Sequence, residues 1–216
     1  MATIAEKVRA VLANEVWGAA DISCNLPLIA ALLKEHAPEH VTEMGVRNAV
    51  SSWTFAQYAA ERAAAGRAIE YVATDITRRE PVGALDAAMA GCPGVAYAFR
   101  EGDDLTIPQW DTDFLFLDTW HTYRQLAKEL LRWAPRTRGV LVLHDTALFG
   151  DRDEGEEGHG EKPVDEALFS GVAPGSVGLL AAVNQFLASP AGARWRVAQQ
   201  NDNCNGIMVL VATIPP

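Results

Sequence analysis

Three cysteines in 216 residues, no long apolar run and a shortage of basic side chains set the first limits on this chain. Cys24, Cys92 and Cys204 are scattered, odd in number and without metal-ligand spacing, so they read as reduced thiols of a cytoplasmic protein. No stretch approaches the roughly 18 apolar residues that a membrane span needs. The opening MATIAEKVRAVLANEVW interleaves charge with apolar residues and lacks the apolar core of a secretory signal. With 18 Lys and Arg against 28 Asp and Glu, the net charge is −10. A basic stripe able to replace the counterions of nucleic acid is absent, and an anionic membrane is no better a partner. A small molecule is the expected partner, and homo-oligomerisation is left open. G-x-S-x-G, P-loop and C-x-x-C motifs are missing. So is G-x-G-x-x-G after the first strand, which argues against a NAD-dependent oxidoreductase.

What is present is alternation. Short, β-rich apolar runs at 40–45, 68–75, 94–103, 113–118 and 139–145 are separated by helical patterns at 51–66, 82–91 and 122–134. That order predicts an α/β fold: one doubly wound, mostly parallel seven-stranded sheet with helices on both faces. After the fifth run the pattern changes. Residues 148–166 are charged and glycine-rich, too polar to pack as a core element, and are expected to form a mobile acidic loop. A helix near 178–188 follows, stopped by Pro190, and then 194–200 and 206–213 flank NDNCN as a C-terminal antiparallel hairpin. Residues 3–14 and 25–36 are helical and make 1–38 a cap on the sheet. The length suits a single domain over 1–216.

In such a sheet, ligands bind beyond the carboxyl ends of the strands, and acidic residues recur at these ends. Glu43 lies inside an apolar strand two residues before Gly45, where a carboxylate needs a cation or N–H donors. A ligand ammonium would serve, and so would Arg47. Gly45 lets the backbone approach a ligand, and Ser51 opens the following helix, whose N-terminus favours anions. Asp75 ends the second run, where an acid typically takes ribose hydroxyls, although it could equally cap the next turn. Glu101-Gly102-Asp103-Asp104 could meet an adenine amino group or be an ordinary acidic turn. Asp118 ends the fourth run with His121 three residues on. His144-Asp145 ends the fifth, so that Asp118 and Asp145 would lie close together across adjacent strands. Two such carboxylates repel unless a cation sits between them, and oxygen ligands suit Mg2+. A nearby neutral histidine suits proton removal from a hydroxyl. Simple N-capping by either aspartate is the plainer alternative. Trp120 is the aromatic placed to touch a ligand, whereas His159 reads as a solvated loop residue.

Together these strand ends resemble the class I S-adenosylmethionine (SAM) dependent O-methyltransferases, over roughly Val41 to Thr213. DFLFLDTWHTY followed by GVLVLHDT is similar to the matching region of the catechol-type, Mg2+-dependent enzymes. The D-x-x-H spacing and the His-Asp pair look closer to the macrolide-sugar methyltransferase and cephalosporin-hydroxylase-like branch. The resemblance implies SAM as cofactor and a hydroxyl of a small molecule, in that branch a sugar or other polyol, as acceptor. It implies that Glu43, Gly45 and Ser51 shape the methionine end of the pocket, Asp75 holds the ribose and Asp103 sits near the adenine. Asp118 and Asp145 would ligate Mg2+ or another divalent cation, and His121 would be the base. Two departures stand out. Arg47 and Ala49 occupy positions where the family's loop has small residues, and His144 stands where the macrolide-sugar branch offers a carboxylate. A metal-independent methyltransferase and a nucleotide-binding domain without catalysis therefore remain as competing readings.

Overall fold

The computed structural model describes residues 3–159, 163–172 and 175–213. Its centre is a seven-stranded sheet in the order β3-β2-β1-β4-β5-β7-β6. Strands β1 (His40–Met44), β2 (Ile69–Asp75), β3 (Val95–Glu101), β4 (Thr112–Leu117) and β5 (Thr137–His144) run parallel. β6 (Trp195–Asn201) and β7 (Ile207–Ala212) close the edge as an antiparallel pair, with β7 against β5.

Period-two alternation assigns the two faces. Phe114 and Phe116 of β4, Val140 and Val142 of β5, and Val209 and Val211 of β7 join one buried cluster. Leu115 and Leu117, Leu141 and Leu143, and Met208 and Leu210 join the other. Both faces of the central strands are apolar because both are covered, as parallel strands require. The first cluster is sealed by α1 (Ile4–Leu12), α2 (Leu26–His36), α3 (Ser52–Ala64) and α4 (Val82–Ala90). The second is sealed by α5 (Tyr123–Trp133) and α6 (Leu179–Leu187). In α5 the inward side chains Tyr123, Leu126, Leu130 and Trp133 recur at helical spacing, and Thr122 caps its first turn by accepting from the Gln125 N–H.

One expectation is corrected. Cys24 and Cys204, 180 residues apart, are joined as a disulfide, and Cys92 alone is free. Spacing could not reveal the pair, because only the fold brings the short 3-10 helix Ser23–Asn25 of the N-terminal cap against the β6–β7 turn. The loop after β5 also differs in character from its composition. Residues 148–159 are seated by their polar groups: Asp153 accepts from the Tyr123 and Gly178 N–H groups, and Gly155 O accepts from Trp120. Residues 160–162 of that acidic segment lie outside the described residues. No described helix is long and apolar enough to cross a membrane.

Candidate active site

The strand order reverses between β1 and β4, which opens a crevice at their carboxyl ends. The chain enters it through Gly45, whose φ is +88°. A Cβ there would stand 1.9 Å from the Asp118 carbonyl oxygen. Glycine is thus required by the close packing of the β1 and β4 ends, which are also tied by Asp118 N–H to Met44 O at 3.0 Å. The same turn holds Arg47 at φ 47° and Ala49 at φ 58°. A left-handed backbone costs a non-glycine residue about 1–2 kcal/mol, so the loop keeps a glycine-type path with two residues that disfavour it. Ala49 is fully buried, and the Arg47 guanidinium lies 5.6 Å over the exposed Trp17 ring of the cap.

Behind this loop, Glu43 is fully buried. Its Oε1 accepts from Ser51 Oγ at 2.5 Å, and Oε2 accepts from the Tyr71 hydroxyl. Burial pushes its carboxyl up to about 7; the surrounding hydroxyls of Ser51, Tyr71 and Ser52 pull it only partly back. Asp75 receives the Arg47 N–H at 2.6 Å and the Thr77 N–H at 3.1 Å, fixing the β1 loop to the β2 end. Asp103 caps its own turn through the Leu105 N–H at 2.8 Å. Neighbouring Asp104 is buried against Gln125 Nε2 at 3.0 Å, and burial with the nearby Glu129 charge raises its carboxyl well above the usual range.

Across the crevice, side chains converge. Ligating atoms of Asp118, His121 and Asp145 all lie within 4.8 Å of one another. His121 Nε2 stands 3.1 Å from Asp118 Oδ1 and 3.1 Å from Asp145 Oδ2, while its Nδ1 stands 2.9 Å from Glu154 Oε2. Its ring stacks on Phe149 at 5.1 Å. Burial works against protonation of His121, but the bonds to Asp118 and Glu154 and the Asp145 charge outweigh it and lift the imidazole to about 10. The same partnership works in reverse on Asp118: burial raises its carboxyl, but the His144 charge and the bonds from both imidazoles override this and hold it well below the usual range. Behind this group, the His144 ring places Nδ1 3.3 Å from Asp118 Oδ1 and Nε2 3.1 Å from the Cys204 carbonyl. Asp145 Oδ1 is buried without a hydrogen-bond partner.

One cavity of about 270 Å³ joins the two groups. Gly45, Ser51, Asp75, Asp103, Asp118, His121 and Asp145 all line it, with Trp120 between them.

No family model matches the sequence, and no curated protein does. Solved structures match along almost the whole chain. The O-methyltransferase from Bacillus cereus in complex with S-adenosylhomocysteine (SAH) aligns over 97% of this chain and 90% of its own at 13% identity, with a TM-score of 0.59. TomG from Streptomyces achromogenes, an O-methyltransferase involved in tomaymycin synthesis and solved with SAM, aligns over 98% and 89% at 16% identity, TM-score 0.59. The SAH-bound methyltransferase PaMTH1 from Podospora anserina aligns over 97% and 87% at 12% identity, TM-score 0.58. The fold is that of the class I O-methyltransferases.

Within this methyltransferase fold, most residues singled out in the sequence reach the same cavity. Glu43 does not: it lies beneath the loop, is satisfied by hydroxyls and not by Arg47, and acts on the cavity through Ser51. Of the titratable lining residues, Asp21 and Glu154 escaped the sequence reading, and His159 was misread. Asp21 belongs to the cap, where nothing in its surroundings announces a site. Glu154 sits in an acidic run whose members are indistinguishable by type, and only the fold places one of them on His121. His159 is not a free loop residue, since its ring meets Trp120 edge-on at 5.0 Å.

Proposed function

We propose that this chain is a SAM-dependent O-methyltransferase acting on a hydroxyl of a small molecule, with a divalent cation held by Asp118 and Asp145. The observation that carries the reading is the single cavity that unites the β1-loop pocket with the carboxylate–imidazole group. Solved structures of this fold that hold SAM or SAH in their own complexes support the choice of cofactor. The donor set fits a cation: two carboxylates converge from adjacent strand ends, and buried Asp145 Oδ1 lacks any hydrogen-bond partner. Bound, SAM supplies an electrophilic methyl group, and the cation lowers the pKa of an acceptor hydroxyl.

The chain's own part is positioning and proton handling. The β1 loop and Ser51 shape the methionine end, Asp75 stands where ribose hydroxyls would be held, and Asp103 lines the adenine end. Trp120, Glu154, Glu157, Gly158 and His159 line the cavity on the His121 side, which favours near-attack geometry of donor and acceptor. His121 is assigned as the base that takes the hydroxyl proton. Glu154 fixes its ring by holding Nδ1, leaving Nε2 toward the reacting side. Asp118, Glu154 and Asp145 together hold a proton on His121, so the base assignment rests on neutralisation of Asp118 and Asp145 by a cation, with Glu154 left to hold the ring through Nδ1. A second reading, methyl transfer without metal, draws on one observation: His121 itself bridges both carboxylates.

Calorimetric titration of SAH into metal-stripped protein, repeated with added divalent cation, tests the proposal. Micromolar SAH binding is expected, and absence of binding in both buffers overturns the methyltransferase reading. Turnover that persists in excess chelator selects the metal-independent form.

A further inference from the structure

We propose that the site takes a borderline transition-metal dication of the Fe2+, Co2+, Ni2+ or Zn2+ class in preference to Mg2+, with His144 Nδ1 as a third protein ligand beside Asp118 and Asp145. This rests on the divalent-cation reading given above and deepens it by naming the metal class and the ligand that selects it.

His144 is the last residue of β5, and its side chain is 1% exposed. A carbonyl oxygen can only accept, so the Cys204 carbonyl 3.1 Å away places the proton of the neutral ring on Nε2. Nδ1 faces the acidic pair, 3.3 Å from Asp118 Oδ1, with which it shares a hydrogen bond, and 3.7 Å from Asp145 Oδ1; a cation between these groups would take the place of its proton. A backbone carbonyl that fixes the tautomer and orientation of an imidazole is a recurrent support behind metal-binding histidines. The third corner is independent of the histidine. Asp145 Oδ1 belongs to a residue 7% exposed, yet it has no hydrogen-bond partner. A buried carboxylate oxygen without a hydrogen-bond partner, beside an imidazole nitrogen that holds a proton only against Asp118, is a donor arrangement that a cation completes by displacing that proton. Two ligands each about 2.1 Å from one ion stand about 3.0–3.4 Å apart for right-angled to tetrahedral arrangements, and 3.3 and 3.7 Å are within a small rotation of that.

Nitrogen is what decides the class of metal. Mg2+ is hard, takes oxygen and gives up its waters reluctantly, so a site that replaces an oxygen donor by an imidazole works against it. Imidazole suits Fe, Ni, Cu and Zn. His121 Nε2 faces the same two carboxylates at 3.1 Å, so nitrogen from either ring moves selection the same way. The carbonyl that orients His144 belongs to Cys204, which is bonded through Cys24 to the N-terminal cap.

The test uses the full chain, stripped with chelator and then titrated separately with Mg2+ and Co2+ by calorimetry. Co2+ is expected to bind at least about 100-fold more tightly than Mg2+. Cu2+ loaded into the same protein is expected to show nitrogen splitting in its electron paramagnetic resonance spectrum. That splitting should be reduced in His144→Gln and the Co2+ affinity lowered about 10-fold or more, as for loss of a ligand. Mg2+ binding as tight as Co2+, with no nitrogen splitting, overturns this inference while leaving a metal-dependent enzyme. Splitting unchanged in His144→Gln but lost in His121→Gln removes His144 as the ligand. Failure of every cation to bind instead removes the divalent-cation reading itself. The wild-type measurements decide the metal class even where a variant does not fold.

Discussion

At the ends of β1, β2 and β3 the cavity is made by backbone, whereas at the ends of β4 and β5 it is made by side chains. On the first side a turn with left-handed residues at 45, 47 and 49 sets the shape, and Asp75 and Asp103 are spent partly on neighbouring N–H groups. On the second, two aspartates, two histidines and Glu154 meet within a few ångströms, and their charges strongly displace one another's protonation. The difference fits a division of labour. A cofactor of fixed shape is held by a fixed backbone path, and a hydroxyl that must lose a proton needs titratable groups.

The sharpest way to break that division is His121→Ala. Loss of a positioned base is expected to lower kcat by about 10²–10⁴-fold, while SAH affinity measured by calorimetry stays within a few-fold of wild type, because the cofactor side is untouched. Full turnover in the variant would remove the base assignment. A large loss of SAH affinity would show that the two halves are not separate.

A second pair of variants probes the backbone side. Gly45→Ala would drive a Cβ into the Asp118 carbonyl at a φ that alanine disfavours, and is expected to cost about 4 kcal/mol or more of stability. Ala49→Gly shares the left-handed geometry but meets no such wall. Relief of strain and loss of a buried methyl oppose each other, so unfolding in urea should place it within about 1 kcal/mol of wild type. Equal behaviour of the two would mean that the close β1–β4 approach does not set the need for glycine.

The sequence made the sheet readable because its signals were local. Unbroken apolar runs such as FLFL and VLVL mark strands buried on both faces, and their alternation with amphipathic helices implies the parallel order. Asp118, His121 and Asp145 were legible for the same reason, since each lies at or just beyond a strand end, where topology alone brings neighbouring strands together. What was not legible depends on distant chain segments. The partnership of Glu154 with His121 spans 33 residues that include α5 and β5, and the Cys24–Cys204 bond spans 180. Glu43 illustrates a subtler failure. Burial of a carboxylate correctly implied that it needed partners, but not that the Ser51 and Tyr71 hydroxyls would supply them in place of a ligand's ammonium.

Glu43 also supplies the mildest test, and it bears on the backbone side. In the unfolded chain its carboxyl loses its proton near 4.5, whereas in the folded protein it retains it up to about 7. Between these values the folded state binds the extra proton, so Glu43 makes stability fall as pH rises from 4.5 to 7 and adds no further slope beyond either end. The full effect is on the order of 3 kcal/mol. Glu43→Gln keeps the size and most of the hydroxyl contacts but removes the titration. The wild-type minus variant stability, followed by urea unfolding between pH 4.5 and 8, should therefore decline across that window and level off above it. A flat difference would mean that Ser51, Tyr71 and Ser52 stabilise the carboxylate fully. The β1 loop would then rest on a charged anchor, and the contrast with the titrating side of the cavity would narrow.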